Sequence, residues 1–94
     1  MEIQYNNYQQ KYSILDVMEI NNISYGAKGL YAYIYSFKDV NEEMYPTRDI
    51  ILKHLNINKN TYHVYLKELY DKNIIYKKEL RSEGKFDKVI HRPL

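Results

Sequence analysis

The chain has 94 residues, which is room for one small domain and too little for an enzyme with separate cofactor and substrate lobes. Hydrophobic residues make up 45% and charged residues 28% of it, as in folded rather than disordered proteins. The formal net charge is only +2, and the absence of cysteine excludes disulfides and thiolate metal sites. No apolar run approaches the roughly 20 residues that span a bilayer, so we expect a soluble, cytoplasmic protein with no membrane partner.

The chain begins with a segment rich in tyrosine, asparagine and glutamine that shows no helical period. We interpret residues 1–13 as an N-terminal arm, either loose or an extended strand packed by Tyr5 and Tyr8. The domain proper is predicted over residues 14–94. It opens with a short apolar stretch, 14–18, that predicts one or two turns of helix.

The next element is a helix that begins after Ser24, whose hydroxyl can accept a backbone N–H of the first turn. We expect it to end near Lys38. Gly26 and Gly29 weaken this helix, so tertiary packing has to hold it, and they permit a close helix crossing. Its apolar residues fall at helical spacing and predict one buried stripe of Ala27, Leu30, Tyr31, Ile34 and Phe37.

A polar connection follows, in which residues 43–45 predict a short strand that ends at Pro46. After the proline, Thr47 is a suitable N-cap for a helix over residues 48–54. The inner face of that helix is predicted to be Ile50, Ile51 and Leu55.

A tight turn over residues 56–58 leads into a third helix, predicted over residues 59–72 with Asn58 as its N-cap. Asn73 suits the left-handed position that ends a helix. The apolar stripe of this helix is Tyr62, Leu66 and Leu69, with Tyr65 beside it.

The period then changes from helix to strand. β-Forming residues at 74–76 and 86–91 predict two strands, and residues 82–85 carry the glycine that a hairpin turn needs. Two helices joined by a short turn and followed by a hairpin are the plan of a winged helix-turn-helix. The predicted fold class is therefore α+β, with a three-helix core and a C-terminal β-hairpin wing.

Charge is unevenly divided along the chain. Residues 1–46 carry three basic and six acidic side chains, a net −3, whereas residues 47–94 carry eleven basic and six acidic ones, a net +5. This asymmetry points to an anionic partner that faces the second half, although basic residues also serve simply to solvate a surface.

The outward face of the third helix is rich in hydrogen-bonding groups. A helix fits the DNA major groove while the preceding helix braces it across the phosphates. Asn60 can read adenine, and Val64 suits a thymine methyl. The alternative is an ordinary solvated helix face. The candidate DNA contacts on the helices are Thr47, Arg48, Lys59, Asn60, Thr61, His63, Val64 and Lys67.

The hairpin supplies the second candidate contact surface, with six cations against three carboxylates. Arg81 and Lys85 flank its turn, where a wing can reach into a minor groove, most readily that of an AT-rich site. The alternative is that lysines on edge strands prevent aggregation. The candidate wing contacts are Lys77, Lys78, Arg81, Lys85, Lys88 and Arg92.

Nothing in the sequence predicts catalysis. His54, His63 and His91 lack ligand spacing and are interpreted as surface or helix-face residues, so we expect no metal, no cofactor and no enzyme. Glu42 and Glu43 are adjacent in a predicted loop and are interpreted as a solvated pair.

Several short segments together carry a resemblance to known proteins: Ile23-Ser24, Ala27-Lys28, Leu30-Tyr31-Ala32-Tyr33-Ile34, Tyr45-Pro46-Thr47-Arg48, Leu55-Asn56-Ile57-Asn58-Lys59-Asn60-Thr61-Tyr62, Leu66-Lys67-Glu68-Leu69, Ile74-Ile75 and Gly84-Lys85-Phe86. This pattern, over about residues 12–92, resembles winged-helix proteins of bacterial mobile elements. They include the N-terminal domains of plasmid replication initiators, small proteins of phages and conjugative elements, and relaxosome accessory proteins. The asparagine, isoleucine, lysine and tyrosine bias resembles that of AT-rich Gram-positive genomes.

Two features depart from that pattern: Asn73 stands where the family usually has glycine, and Leu94 ends the chain where initiators continue into a second domain. The resemblance implies a stand-alone double-stranded DNA-binding protein that marks a plasmid transfer or replication origin, with a relaxase or the replication machinery as partner and a homodimer as one possible state.

Two alternative functions stay open at this point. The first is a transcriptional regulator. The second is a protein-interaction winged helix that does not bind DNA and whose partner surface is formed by Tyr5, Tyr8, Tyr12 and Tyr33.

Overall fold

The computed structural model describes residues 11–94, so Tyr5, Tyr8 and most of the predicted N-terminal arm lie outside the described residues. Four helices are followed by an antiparallel hairpin. The elements are α1 (Ile14–Met18), α2 (Tyr25–Tyr35), α3 (Arg48–Leu55), α4 (Lys59–Asp71), β1 (Ile75–Ser82) and β2 (Lys85–Pro93). This order confirms the predicted α+β winged helix-turn-helix. Within residues 11–94, no helix is long and apolar enough to cross a membrane.

Side-chain caps start three of the helices. Ser13 forms a capping box with Asp16 at α1, and the Ser24 hydroxyl accepts the Ala27 N–H at 3.1 Å. The Asn58 carboxamide accepts the Thr61 N–H at 2.8 Å, which confirms the predicted start of α4. Thr47 also occupies the predicted N-cap position of α3, but its side chain makes no capping hydrogen bond.

The strand predicted over residues 43–45 is wrong. Glu42–Met44 forms a 3₁₀ turn, in which the Asn41 side chain accepts the Glu43 N–H at 3.0 Å. The Lys88 ammonium on β2 donates to the carbonyl oxygens of Glu43 and Tyr45, at 3.0 and 2.7 Å. In a third strand, these carbonyls would accept backbone N–H groups of the neighbouring strand. Here they accept hydrogen bonds from a lysine side chain instead.

Two details of the helices also differ from the prediction. α2 ends at Tyr35 rather than near Lys38, because the chain tightens into i→i−3 turns and the Ser36 hydroxyl donates to the Tyr33 carbonyl at 2.6 Å. On α3, Ile50 is 44% exposed, whereas Ile51 is buried and Leu52 packs against the core. The core lies on the side of α3 that carries Ile51 and Leu52, and residue 50, about 200° around the helix from residue 52, faces solvent.

The predicted stripes of α2 and α4 form the core. Ala27, Leu30, Tyr31 and Ile34 are buried against Tyr62, Leu66 and Leu69, and Phe37 is half-buried. The helices approach closely at Gly26, where an added Cβ would lie 2.0 Å from Cζ of Tyr65. The Glu68 carboxylate reaches from α4 to the start of α2 and accepts from both the N–H and the hydroxyl of Ser24, each at 2.7 Å.

The hairpin turns through Glu83 and Gly84, both with positive φ (54° and 77°), as in type I′ turns. Asn73 has φ 57° and ends α4 in the left-handed conformation, as predicted. The pairing register shifts after Leu80, which pairs with Lys88, while Arg81 pairs with Phe86. Asp87 is therefore the extra residue of a bulge, and the wing tip bends there.

Candidate nucleic-acid interface

α4 presents the polar face that the sequence predicted. Lys59, Asn60, His63, Val64 and Lys67 are exposed, and only Thr61 is half-buried. The turn before α4 holds this face in place, because Asn56 adopts a left-handed conformation and Ile57 packs against the core. Lys67 forms an ion pair with Asp71 on the same helix at 2.8 Å, and both side chains are largely exposed. Such a pair is weak and can be exchanged for a phosphate contact.

The start of α3 lies beside this face. Thr47 and Arg48 are exposed, and both line a groove that His63 of α4 also lines. The guanidinium of Arg48 lies 3.8 Å from the carboxylate of Asp49, a distance at which the pairing is loose. The structure thus brings together residues of α3 and α4 that the sequence predicted as separate contacts.

Two exposed cations of the hairpin, Arg81 and Lys85, lie at the wing tip, and a third, Lys77, lies near the base of β1 opposite His91. Lys77 and Lys85 are exposed and form no ion pair within residues 11–94. Arg81 pairs with Glu79 at 2.9 Å, but both groups are more than half exposed, so the pair contributes little. Arg81 and Lys85 lie beside the turn, where the sequence placed them.

The three other hairpin cations have partners inside the protein. Lys78 and Arg92 both contact one carboxylate oxygen of Glu42, at 2.6 and 2.7 Å, and Lys88 holds the two carbonyls described above. The hydrogen bond from Lys78, together with the charges of Lys78 and Arg92, holds the pKa of Glu42 below its ordinary value in spite of desolvation. These contacts join the 3₁₀ turn to the base of the wing.

Glu42 is the residue that sequence reasoning missed. It was interpreted as half of a solvated pair, but its side chain is only 30% exposed and it accepts two charged hydrogen bonds. Its partners lie 36 and 50 residues further along the chain, so no local pattern could have indicated the contact.

The wing is also joined to α4 by a polar contact. The Tyr70 hydroxyl lies 2.5 Å from Nδ1 of His91, and the two rings meet edge to face. Burial lowers the pKa of His91 to about 4, helped by the nearby Lys77 and His63, and burial raises the pKa of Tyr70 to about 12. Both groups are thus neutral at pH 7, and the tautomer of His91 sets which of the two donates. His91 is half-buried rather than the surface residue that was predicted.

A tyrosine–histidine pair also joins α2 to α3. The Tyr33 hydroxyl lies 2.7 Å from Nδ1 of His54. Tyr33 is half-buried. Tyr12 is half-buried too. Only two of the four tyrosines proposed as a protein-binding patch fall within the described residues, and neither is fully exposed. Within residues 11–94, no group of three or more acidic, histidine or cysteine side chains is arranged to hold a metal ion.

Comparison with known proteins agrees with this geometry. A family model described as a helix-turn-helix domain matches residues 21–75, more than half of the chain, from the turn before α2 to the first residue of β1. The chain belongs to this helix-turn-helix family. Membership suggests that the protein binds DNA, and the hairpin adds a wing to the matched segment. Searches of curated proteins and of solved structures give no match.

Proposed function

We propose that the protein recognises a specific sequence in double-stranded DNA by placing α4 in the major groove and the wing tip against the adjacent backbone or minor groove. The observation that carries the proposal is the exposed polar face of α4, directly after a helix-turn-helix turn. On this face Asn60, His63 and Val64 are the candidate base contacts.

The remaining candidate residues differ in whether their side chains are available to contact a DNA phosphate. Thr47 and Arg48 at the start of α3, with Lys59 and Lys67 on α4, flank the base-reading face. On the wing, Lys77, Arg81 and Lys85 are the candidate contacts because they are exposed and make no bond to the 3₁₀ turn, whereas Lys78, Lys88 and Arg92 bond to residues 42–45 and serve mainly to position the wing.

The cellular role is proposed from the resemblance. A winged helix of this size that resembles proteins of mobile elements fits a factor that marks a plasmid transfer or replication origin and positions a relaxase or the replication machinery there. A homodimer on a repeated site is part of this proposal, and dimerisation on the selected site is measured by sedimentation with and without DNA.

The test starts by selecting bound duplexes from a random pool and then titrates the selected duplex against salt. We expect log K to fall linearly with log salt concentration, by about 0.9 for each phosphate contacted. No duplex binding at low salt would contradict the proposal.

Variants then separate the two modes of recognition. If α4 reads bases, Asn60→Ala and His63→Ala each relax sequence preference by about 1–3 kcal/mol at one position. If the wing dominates, Arg81→Ala and Lys85→Ala weaken binding more than the α4 changes do. Lys53→Ala is the matched control for charge, because Lys53 is an exposed lysine of α3 outside the candidate interface.

A further inference from the structure

A groove of about 580 Å³ opens between α2, α3, α4 and β2. Its apolar lining includes Ile34, Ile51, Leu66 and Ile90, which border the hydrophobic core. This volume falls within the range of small-molecule sites, which are concave, mostly apolar and provided with a few polar groups. The proposed DNA contacts use only part of the rim and leave the interior of the groove without a role.

Five phenylalanine and tyrosine rings belong to the lining. The rings of Tyr33 and Phe37 are 5.3 Å apart, and those of Phe37 and Tyr45 are 5.9 Å apart, so three rings form a continuous row. Tyr62 of α4 and Phe86 of β2 line the groove from other elements. Phe86 is 57% exposed, so its ring is open to a ligand in the groove. Tyr45 and Tyr62 are buried, so the rings that offer a face or edge to a flat aromatic ligand are those of Tyr33, Phe37 and Phe86.

The charges at the groove are balanced. Its lining carries two basic side chains, Arg48 and Lys88, and two acidic ones, Asp49 and Asp87, so their formal charges sum to zero. His91 is neutral at pH 7, because burial lowers its pKa to about 4. A balanced rim around an apolar interior selects against a charged ligand, since burying an unpaired charge is costly.

We infer that this groove binds a neutral, planar aromatic molecule, and that its occupation and duplex binding exclude one another. The second half of this inference rests on the proposed function. Thr47, Arg48 and His63 line the groove and are also candidate DNA contacts, so a ligand there competes for the same side chains. The protein is then a DNA-binding unit that a small aromatic molecule releases from its site.

The site is tested with N-phenyl-1-naphthylamine, a neutral fluorescent aromatic, added to the whole protein without DNA. We expect saturable binding at one site per chain. Phe86→Ala weakens binding about fivefold or more, the share of one aromatic pair. Tyr25→Ala, which removes a ring that is 89% exposed and outside the groove, leaves it unchanged. Amide spectra of both variants check that the fold is kept, and the probe should shift the amides of groove residues.

Non-saturable binding, or equal losses in the two variants, would overturn the groove as a site. Competition is then measured by adding the selected duplex, which we expect to displace the probe. Simultaneous binding of probe and duplex refutes exclusion alone. Failure to bind duplex in the absence of probe refutes the proposed function, and with it the mutual exclusion of ligand and duplex. The aromatic site is tested independently, by the titration without DNA.

Discussion

The Glu42 contact with Lys78 and Arg92 supports a quantitative prediction about how the wing is held. Glu42→Gln keeps the shape of the side chain and removes its charge. It weakens hydrogen bonds of 2.6 and 2.7 Å and leaves two cations close together without a counter-charge. We expect the hairpin base to lose part of its attachment to the 3₁₀ turn while the helical core stays folded.

The magnitude follows from the exposure of the partners. Fully exposed ion pairs contribute about 0.2–1 kcal/mol, whereas hydrogen bonds to charged groups contribute about 1.5–3 kcal/mol where solvent is excluded. The side chains of Glu42, Lys78 and Arg92 are 30%, 45% and 24% exposed, between these limits. The glutamine retains an acceptor, so we expect a loss of about 1–2 kcal/mol, or roughly 5–15 °C in Tm for a domain of this size.

The assay is urea unfolding at pH 7, with Glu43→Gln as the matched control. Glu43 is the neighbouring glutamate, it is exposed, and its side chain forms no ion pair within residues 11–94. The same chemical change one residue away should therefore cost almost nothing. Equal midpoints for the two variants would refute the reasoning.

The pH dependence gives a second check on the same contact. The pKa of Glu42 is lower in the folded protein than its ordinary value of 4.5, so the unfolded chain binds the proton more readily. The stability gained from the carboxylate is present above pH 4.5 and is lost as the pH falls through the folded pKa. The difference between the wild type and Glu42→Gln should shrink on acidification below pH 4.5. A difference that stays constant down to pH 2 would contradict an ionic cause.

Two further predictions concern packing and protonation. Gly29→Ala, with open space around it, should stabilise the protein by about 0.5–1 kcal/mol. Gly26→Ala should lose this gain, because its Cβ meets the end of the half-buried Tyr65 ring and forces that side chain to move. Thermal unfolding of the two variants tests this, and equal gains in Tm would contradict it. The pKa of His91 is about 4 in the folded protein, below its usual 6.5, so the unfolded chain takes up a proton first as the pH falls. This difference should lower the free energy of unfolding by about 2–3 kcal/mol between pH 6.5 and pH 4. His91→Gln should remove this loss in urea unfolding across that range, whereas His63→Gln, at an exposed histidine, should retain it.

Local patterns were sufficient for most of the fold. Ser24 and Asn58 each bond to a backbone N–H three residues away, so both caps are visible in a short window of sequence. Asn73 takes the left-handed conformation for a reason that belongs to asparagine itself. The stripes of α2 and α4 follow from helical period, which explains why those residues were correctly placed in the core.

The errors have a different origin. The strand predicted at residues 43–45 failed because the Lys88 side chain, more than forty residues away in sequence, bonds to the carbonyls there. Ile50 was assigned inward because α3 has only eight residues, too few for the period to choose between neighbouring apolar positions. His91 was placed on the surface because its burial depends on Tyr70 of α4.

By itself, the sequence determined the order of the helices and the hairpin, the helix starts and the kind of chemistry the second half offers, because each depends on residue type and on spacing within a few positions. Only the tertiary structure decided which hairpin cations remain available to a partner. Lys78, Lys88 and Arg92 have the same charge as Lys77 and Lys85, but the 3₁₀ turn folds against them and supplies Glu42 and two carbonyls. Charge is a property of the residue, whereas its availability depends on what long-range packing places within about 3 Å of it.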